Sequence, residues 1–393
     1  MAPKRFLVVR DTGPAGALRG AVLAIGNFDG VHRGHRAVIA VARDHAKSLD
    51  KTAAVLTFEP HPRAFFKPGE KLFRLSDEAT KLRLLASTGL DGAIVLTFNA
   101  DLANVTAAEF VTRILVGRLA ISGAVIGFNF HFGKNRGGSP DFLAAEGVKH
   151  GFAVDVVPAF EVNGRPVSSG PIRDALAAGR LDEATALLGF PWFVSGEVIH
   201  GDKRGRELGF PTANLRLDAA CGLRHGVYAV RAAFGGRRYD GVANFGRRPM
   251  FDTGAVLLEV FLFDFAGDLY GQRIDVAFID WIRDEEVFAS VDELVVRMCS
   301  RAHCAAIKAS NAIGTRRCQP SERPACMATL RIFGSSSQAD DACARAARSR
   351  MARSRARRRD MAATMAPISA ISTKMPAITR PAKTFPNSSA SRS

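Results

Sequence analysis

Short apolar runs alternate with amphipathic segments through the first half of the chain. Five runs have the length and composition of buried strands, at residues 21–26, 53–58, 92–97, 123–127 and 153–157. Between them, apolar positions recur at helical spacing over residues 35–48, 76–87, 107–115 and 139–150. Strands that alternate with helices in this way are typical of a doubly wound parallel sheet. We therefore predict an N-terminal α/β domain of the nucleotide-binding type over residues 1–182.

After about residue 193 the pattern changes to alternating apolar and polar positions with frequent glycines. Five such runs follow one another without an intervening helical pattern, at residues 193–200, 226–234, 237–244, 255–263 and 272–279. Several short strands with turn signals at this spacing indicate an antiparallel β-barrel. We place this second domain at residues 183–298 and expect it to end in a C-terminal helix over residues 284–297.

Residues 299–393 differ from the rest of the chain in composition. They hold 18 of the 54 lysines and arginines, four of the 38 acidic residues and five of the six cysteines. This segment therefore carries +14 of the formal charge of +16, and the body carries only +2. Because the hydrophobic periodicity is lost, we expect a disordered basic tail. Two interpretations stay open: the tail is translated out of frame, or it is a genuine basic extension.

The distribution of charge and cysteine argues against some classes of protein. The body is nearly neutral and the basic tail lacks interleaved aromatic residues, so nucleic-acid binding is not expected. No run of about 18 apolar residues occurs, so we expect no membrane span. Cys221 is the only cysteine before residue 299, which argues against a disulfide framework and indicates a cytoplasmic protein.

The first predicted strand leads into a turn rich in glycine and histidine that opens the first predicted helix. The turn reads Gly26-Asn27-Phe28-Asp29-Gly30-Val31-His32-Arg33-Gly34-His35. A helix N-terminus offers unpaired N–H groups and the positive end of the helix dipole, and glycines let a phosphate approach the backbone. His32 and His35 share one helical face, where two imidazoles can donate hydrogen bonds to a reacting phosphate. A metal site and plain surface positions are the alternatives for this pair.

Three further segments carry motifs of the same kind. They read Thr57-Phe58-Glu59-Pro60-His61-Pro62, Gly127-Phe128-Asn129-Phe130-His131-Phe132-Gly133-Lys134 and Ser168-Ser169-Gly170-Pro171-Ile172-Arg173. Together with the first turn, they resemble the motifs of the bacterial bifunctional riboflavin kinase/FAD synthetases, within the nucleotidyltransferases that share an H-x-G-H signature. The resemblance covers roughly residues 5–297. It implies a Rossmann-like FMN adenylyltransferase domain followed by a riboflavin kinase barrel.

The resemblance assigns roles to residues of the first site. It implies that His32 and His35 contact the ATP phosphates, that Asn129 helps to place them, and that Ser169 and Arg173 hold the β and γ phosphates. Arg173 also suits a departing pyrophosphate, because guanidinium is a planar cationic donor. The other candidates for ATP binding are Gly26, Phe28, Gly30, Gly34 and Ser168. The candidates for an apolar flavin slot, each with core packing as the alternative, are Phe58, Phe128 and Phe132.

One position departs from the family pattern. Gly170, followed by Pro171, stands where the family commonly has threonine. A hydrogen bond to a charged group is worth about 1.5 to 3 kcal/mol, so we expect adenylyl transfer to persist, slowed at most by this loss. The alternative is a riboflavin kinase whose adenylyltransferase half has decayed.

The second domain begins with a basic, glycine-rich loop that lacks the spacing of a Walker motif. Its candidates for ATP binding are Gly201, Lys203, Arg204, Gly205 and Pro211, with a solvated basic turn as the alternative. Thr212 and Asn214 are two residues apart, so on a strand they face the same side. Their hydroxyl and amide oxygens suit Mg²⁺. In this context the segment resembles the riboflavin kinase signature.

Glu259 is the single acid in the otherwise apolar run 256–263. An ionised carboxylate in such a run is costly unless it is paired or functional. The resemblance implies that Glu259 is the catalytic glutamate of the kinase, which orients the attacking hydroxyl, and that Asn244 contacts the flavin. The alternative is an outward-facing glutamate or one paired with Arg247 or Arg248.

We therefore predict two reactions on one chain. The barrel transfers the γ-phosphoryl group of ATP to riboflavin, which gives FMN and ADP. The N-terminal domain transfers the adenylyl group of a second ATP to FMN, which gives FAD and pyrophosphate. Mg²⁺ is the expected cofactor. A rival of another class is a flavin- or nucleotide-binding regulator that uses its basic tail on nucleic acid, and the sequence makes no prediction of oligomeric state.

Overall fold

The computed structural model of this chain describes residues 6–11, 16–200, 212–247 and 256–285. All of them belong to one compact unit that spans residues 1–347. Three predictions fall outside the described residues: the basic tail, the final helix beyond residue 285, and the loop with Gly201, Lys203, Arg204, Gly205 and Pro211.

Six parallel strands form the N-terminal sheet. They are β1 (Leu7–Arg10), β2 (Val22–Ile25), β3 (Ala53–Glu59), β4 (Gly92–Thr97), β5 (Gly123–Gly127) and β6 (Ala153–Val157). They lie in the order β1-β4-β3-β2-β5-β6. Strands β2 to β5 are almost entirely buried, as expected of a parallel sheet that is covered on both faces. The predicted doubly wound parallel sheet is confirmed, and β1 is an additional edge strand.

The helices cover this sheet and connect its strands. They are α1 (Arg33–Ser48), α2 (Pro62–Phe66), α3 (Glu78–Ala86), α4 (Ala100–Asn104), α5 (Ala107–Glu109), α6 (Pro140–His150), α7 (Ser169–Ala177) and α8 (Leu181–Leu188). Helix α5 continues as a π-helix over Phe110–Arg118. The four predicted helices are present as α1, α3, α5 with its π-helical continuation, and α6. Side chains cap the N-termini of several helices. Asp77 caps α3, and Ser139 caps α6, which has Pro140 in its first turn.

Strand β2 lies in the middle of the sheet, and later strands are added on both sides of it. Strands β3 and β4 follow on one side, and β5 and β6 follow on the other. The carboxyl ends of β2 and β5 therefore form the topological switch point, where doubly wound folds open a crevice for ligands. The turn before α1 and the segment with Asn129 both start at this edge, so the fold brings two of the predicted motifs together.

Six antiparallel strands form a closed barrel, which confirms the second predicted architecture. They are β9 (Phe193–Ile199), β10 (Ala213–Leu217), β11 (Gly226–Phe234), β12 (Arg237–Arg247), β13 (Val256–Leu262) and β14 (Arg273–Arg283). The barrel closes in the order β10-β13-β12-β11-β14-β9. A short hairpin of β7 (Glu161–Val162) and β8 (Arg165–Pro166) precedes α7. Strand β10 was absent from the predicted runs, and β14 continues to Arg283 rather than ending at residue 279.

Helices α7 and α8 pack into the same hydrophobic core as the barrel. This core contains Ile172 and Leu188 from the helices and Leu258 and Phe278 from the strands. The expected boundary between residues 182 and 183 falls inside α8, and the division into residues 1–182, 183–298 and 299–393 stays a prediction. Across the described ranges, no helix combines the length and the apolar character that crossing a bilayer requires.

Candidate functional site

The turn between β2 and α1 has a backbone shape that explains its sequence. Phe28 and Gly30 have positive φ angles of 51° and 77°. A Cβ on Gly30 would lie 2.9 Å from the Cβ of Leu75, so glycine is required there. His32 is the N-cap residue of α1, and its Nδ1 accepts a hydrogen bond from the backbone N–H of His35 at 3.2 Å. The imidazole of His32 thereby fixes the start of the helix.

His32 and His35 form a stacked pair at the start of α1. Their ring centroids are 3.6 Å apart and the rings are inclined by 16°. Burial, followed by the nearby Arg173 guanidinium, lowers the pKa of His32 to about 4. Burial, His32 and Lys81 lower the pKa of His35 well below its usual value. Both rings are therefore neutral near pH 7, and because Nδ1 of His32 accepts a hydrogen bond, its proton lies on Nε2.

The N-terminus of α7 meets the same turn. Ser169 Oγ donates to the Asp29 carbonyl at 3.2 Å, and Arg173 Nη2 donates to the buried Asp29 carboxylate at 2.5 Å. Ser168 is the N-cap residue of α7 and makes no side-chain capping bond. Among the described neighbours, a Cβ on Gly170 would meet Ser168 Oγ alone, at 4.0 Å. A Cβ at this position would therefore meet no clash.

A cavity of about 1250 Å³ opens at the switch point. The predicted site residues that line it are Gly26, Phe28, His35, Phe58, Asn129, Phe132, Ser169 and Arg173. The predicted residues outside this lining are Gly30, His32, Gly34, Ser168 and Phe128, and the Phe128 ring is half exposed. Pockets for a single ligand usually measure about 300 to 1,000 Å³, so this cavity is larger than that range.

A buried charged network beneath the cavity was missed by the sequence reasoning. Lys81 on α3 is 2% exposed, and its Nζ lies 2.6 Å from Glu59 Oε1 and 3.2 Å from Thr57 Oγ1. Arg74 reaches the same Glu59 oxygen at 2.6 Å. Thr57 Oγ1 donates in turn to the Asn27 carbonyl at 3.1 Å. The network therefore joins the end of β3 to the turn before α1.

His61 is a second residue for which the sequence reasoning proposed no role, although it lies in a motif quoted for the resemblance. It lines the cavity and caps α2, because its Nδ1 accepts from the backbone N–H of Arg63 at 3.1 Å. Burial lowers the pKa of His61 to about 4, with Asp29 opposing the shift and Arg173 adding to it. A second neutral imidazole therefore faces the same cavity as His35.

Three polar residues of the barrel lie in one row across three neighbouring strands. Glu259 on β13 pairs with Asn214 on β10 and with Asn244 on β12. Residues directly opposite each other on paired strands have neighbouring side chains. Leu258 and Val260 belong to the barrel core, so Glu259 points to the outer face. The apolar run 256–263 is thus an alternating strand, and the closed barrel brings the three predicted residues together.

Thr212 and Asn214 stand at the start of β10. Asn214 is 4% exposed, and its Nδ2 donates to the Thr212 carbonyl at a long 3.5 Å. Within the described ranges, no group of three or more His, Cys, Asp or Glu side chains could hold a metal ion. Thr212 and the row of Asn214, Glu259 and Asn244 nevertheless offer hydroxyl, amide and carboxylate oxygens, which are ligand types that Mg²⁺ accepts beside phosphate and water. The donor set therefore fits Mg²⁺.

The fold and the two polar sites together define a class of protein. A helix N-terminus with paired imidazoles, placed at the switch point of a parallel sheet, suits a nucleotide phosphate. A closed barrel with a row of oxygen donors on its outer face provides a second polar site on the same chain. These features are those of a two-domain transferase that acts on nucleotides.

Comparison with known proteins identifies the family. A family model described as FAD synthetase matches residues 15–171, and one described as riboflavin kinase matches residues 188–306. The bifunctional riboflavin kinase/FMN adenylyltransferase of Pseudomonas fluorescens is 45% identical over 277 residues, which is 70% of this chain and 89% of the relative. That of Escherichia coli K12 is 41% identical over 276 residues, or 70% and 88%. A crystal structure described as a macrolide-efflux protein from Streptococcus pneumoniae has a TM-score of 0.67 at 31% identity, and covers 77% of this chain and 99% of that one.

The chain belongs to the family of bifunctional riboflavin kinase/FMN adenylyltransferases. It is an enzyme with both activities, and riboflavin, FMN and ATP are the substrates of this family. The predicted bifunctional enzyme of flavin cofactor synthesis is confirmed, including its two architectures.

Proposed function

We propose that FMN adenylylation takes place in the cavity at the carboxyl edge of the parallel sheet. The observation that carries this assignment is the convergence of His35, Ser169 and Arg173 on one cavity beside a helix N-terminus. Negative charge grows on the phosphate oxygens during this reaction. Hydrogen-bond donors and a cation that point at those oxygens stabilise that charge. The volume of the cavity, about 1250 Å³, supports the same assignment because two substrates must meet there.

In this reaction an FMN phosphate oxygen attacks the α-phosphorus of ATP in line, and the bond to the bridging oxygen breaks as pyrophosphate leaves. We assign Ser169 and Arg173 to the β and γ phosphates, because guanidinium neutralises the charge on the leaving group. Neutral His35 donates to the oxygens of the reacting phosphate, and His32 holds the helix N-terminus and the stacked ring of His35 in place. Asn129 helps to place the phosphates, and Phe58 and Phe132 form an apolar wall for the flavin ring.

We propose that riboflavin phosphorylation takes place on the outer face of the barrel. The row of Asn214, Glu259 and Asn244 places a carboxylate between two amides. Glu259 orients the ribityl hydroxyl that attacks the γ-phosphorus of ATP, and Asn244 contacts the flavin. Thr212 and Asn214 would hold Mg²⁺, which neutralises phosphate charge when it is bound. The contribution of the preceding loop to ATP binding stays a prediction.

We also propose that the enzyme acts in the cytoplasm. Cys221 is a free thiol, and burial raises its pKa to about 11, so it is an unreactive packing residue that fits a reducing compartment.

Product analysis of paired variants tests this division of labour. With riboflavin, ATP and Mg²⁺, the wild type is expected to give FMN, FAD and pyrophosphate. His35→Ala should form FMN but no FAD, and Glu259→Gln should convert supplied FMN to FAD while forming little FMN from riboflavin. Thr212→Ala should raise the Mg²⁺ concentration that the kinase reaction requires. His150→Ala, on α6 and outside the cavity lining, is the matched histidine control.

Two results would contradict this assignment. Equal loss of both reactions in His35→Ala or in Glu259→Gln would show that the sites are not separate. Failure of the wild type to make FAD and pyrophosphate from FMN, ATP and Mg²⁺ would favour the decayed adenylyltransferase half.

A further inference from the structure

The guanidinium of Arg173 is held by two acceptors from different parts of the chain. Its Nη2 donates to the Asp29 carboxylate, and its Nε donates to the Phe73 carbonyl at 2.5 Å. Among the described residues, its hydrogen bonds run from Nε and Nη2, and none is found from Nη1. Since Arg173 lines the cavity, these two bonds decide where its remaining donors point.

The second acceptor belongs to the segment of residues 73–76, which precedes α3. The backbone N–H groups of Leu75 and Ser76 donate to Asp29 Oδ1 at 2.9 and 3.1 Å, and Ser76 Oγ accepts from the Gly30 N–H at 3.0 Å. The segment 73–76 is thus tied to the turn before α1 at three points. Its position and that of Arg173 depend on each other through Asp29.

The same segment is held from its other side by Trp192, which immediately precedes β9. Trp192 is 4% exposed, and its Nε1 donates to the Leu75 carbonyl at 2.8 Å. Its ring packs edge-on against Phe73 and stacks on Phe278 of the barrel, with centroid distances of 5.6 and 5.2 Å. The backbone N–H of Phe278 donates to the Trp192 carbonyl at 2.9 Å. Trp192 is therefore fixed by the barrel while it holds the segment that orients Arg173.

We propose that Trp192 is a positioning residue for adenylyl transfer. It holds the segment 73–76 through the Leu75 carbonyl, so that the Phe73 carbonyl and Asp29 aim Arg173 into the cavity. The barrel thereby completes the phosphate-binding geometry of the other domain. This inference rests on the proposed placement of Arg173 at the β and γ phosphates.

Trp192→Phe in the full chain tests the proposal, because phenylalanine keeps an aromatic ring between Phe73 and Phe278 but has no N–H. Loss of one buried hydrogen bond corresponds to about a fivefold change in an equilibrium constant. We expect the KM for ATP in FMN adenylylation to rise about fivefold, with weaker inhibition by pyrophosphate. The kinase reaction of the same sample should stay within about twofold of the wild type.

Trp281→Phe is the matched control, because Trp281 is the other tryptophan of the chain and lies on barrel strand β14. Its indole N–H has no acceptor among the described residues. This variant should leave the KM for ATP in both reactions unchanged. If Trp192→Phe and Trp281→Phe lower both reactions equally, the role of Trp192 is merely structural and the proposal is overturned.

A double-mutant cycle with Arg173→Lys separates this inference from the function on which it rests. If Trp192 acts through Arg173, Trp192→Phe should have little further effect in the Arg173→Lys background. Additive effects would overturn the proposal while leaving the proposed site intact. If Arg173→Lys alone leaves adenylyl transfer unchanged, the placement of Arg173 at the phosphates fails, and this inference fails with it.

Discussion

His32 uses its two ring nitrogens for different purposes. Nδ1 accepts the backbone N–H of His35, which is the N-cap role that serine, threonine, aspartate and asparagine usually fill. Nε2 keeps the proton, so the ring is neutral and its pKa lies near 4. Protonation of the ring would turn the Nδ1 acceptor into a donor and would place a charge in a buried site beside Arg173. The start of α1 therefore depends on a neutral imidazole.

Stability should consequently fall as the pH is lowered. The folded-state pKa of His32, about 4, lies below the ordinary value of 6.5, so its contribution is complete above pH 6.5 and is lost as the pH falls towards 4. We expect the free energy of unfolding to drop by about 2 kcal/mol between pH 7 and pH 4.5 because of this residue alone. Urea unfolding at a series of pH values measures the drop.

His32→Asn is the control for that measurement, because its amide oxygen keeps the capping acceptor but does not titrate. The variant should lose less stability than the wild type over the same pH range. It should also be impaired in FAD formation, since the stacked ring is gone. If the two proteins lose stability in parallel, His32 is not responsible for the acid sensitivity.

At the scale of elements, the network of Lys81, Glu59 and Arg74 fixes the end of β3 relative to α3. The desolvated ammonium of Lys81 is paired with a carboxylate and with the Thr57 hydroxyl and Phe58 carbonyl. Burial lowers the pKa of Lys81 and Glu59 opposes that shift. The interaction with Glu59 thus offsets part of the free-energy cost of burying the Lys81 ammonium group. The same interaction holds β3 and α3 together beside the cavity.

Lys81→Met should destabilise the protein by about 3 kcal/mol, since removing one partner of a buried ion pair leaves the other partly uncompensated. Lys67→Met is the matched control, because Lys67 pairs with Glu70 on the surface with 54% of its side chain exposed. The control should change the free energy of unfolding by less than about 1 kcal/mol. Denaturant titration compares the two, and similar values for both variants would contradict this account of the network.

The elements that the sequence predicts correctly are those with a clear local period. Strands β2 to β5 are mainly apolar runs, β6 is apolar except for Asp155, and α1 and α6 have apolar stripes with histidine, lysine or glycine at their ends. Helix α7 was missed because Gly170 and Pro171 in its first turn read as a loop, although proline is tolerated at a helix start. Strand β10 was missed because Asn214 and Arg216 interrupt its apolar positions.

The sequence predicted the motifs of the candidate sites but not how their residues are arranged in space. The histidines before α1 and the Ser169 to Arg173 segment are local signals. The alignment of Asn214, Glu259 and Asn244 depends on the pairing of β13 with both β10 and β12 in the closed barrel, and the alternation within one strand does not specify its partners. The bonds from Asp29 to Leu75 and from Lys81 to Glu59 join separate elements, and a single sequence carries no signal of such pairings.

At the scale of the whole molecule, the first family match ends at residue 171 and the second at residue 306, so residues 307–393 lie beyond both matched regions. We expect deletion of residues 307–393 to leave both reaction rates within about twofold of the full chain. Steady-state assays of FMN and FAD formation with the two proteins provide the comparison. Loss of either reaction rate on deletion would contradict the expectation that the tail is dispensable. A regulator that uses its basic tail on nucleic acid would lose its function on the same deletion.

The central claim is that one chain holds two separate places for ATP, one at the start of α1 and one on the barrel. Calorimetric titration with a non-hydrolysable ATP analogue, at saturating flavin and Mg²⁺, tests it most directly. The account predicts two analogues bound per chain, with His35→Ala and Thr212→Ala each weakening a different one. A single bound analogue per wild-type chain would contradict it.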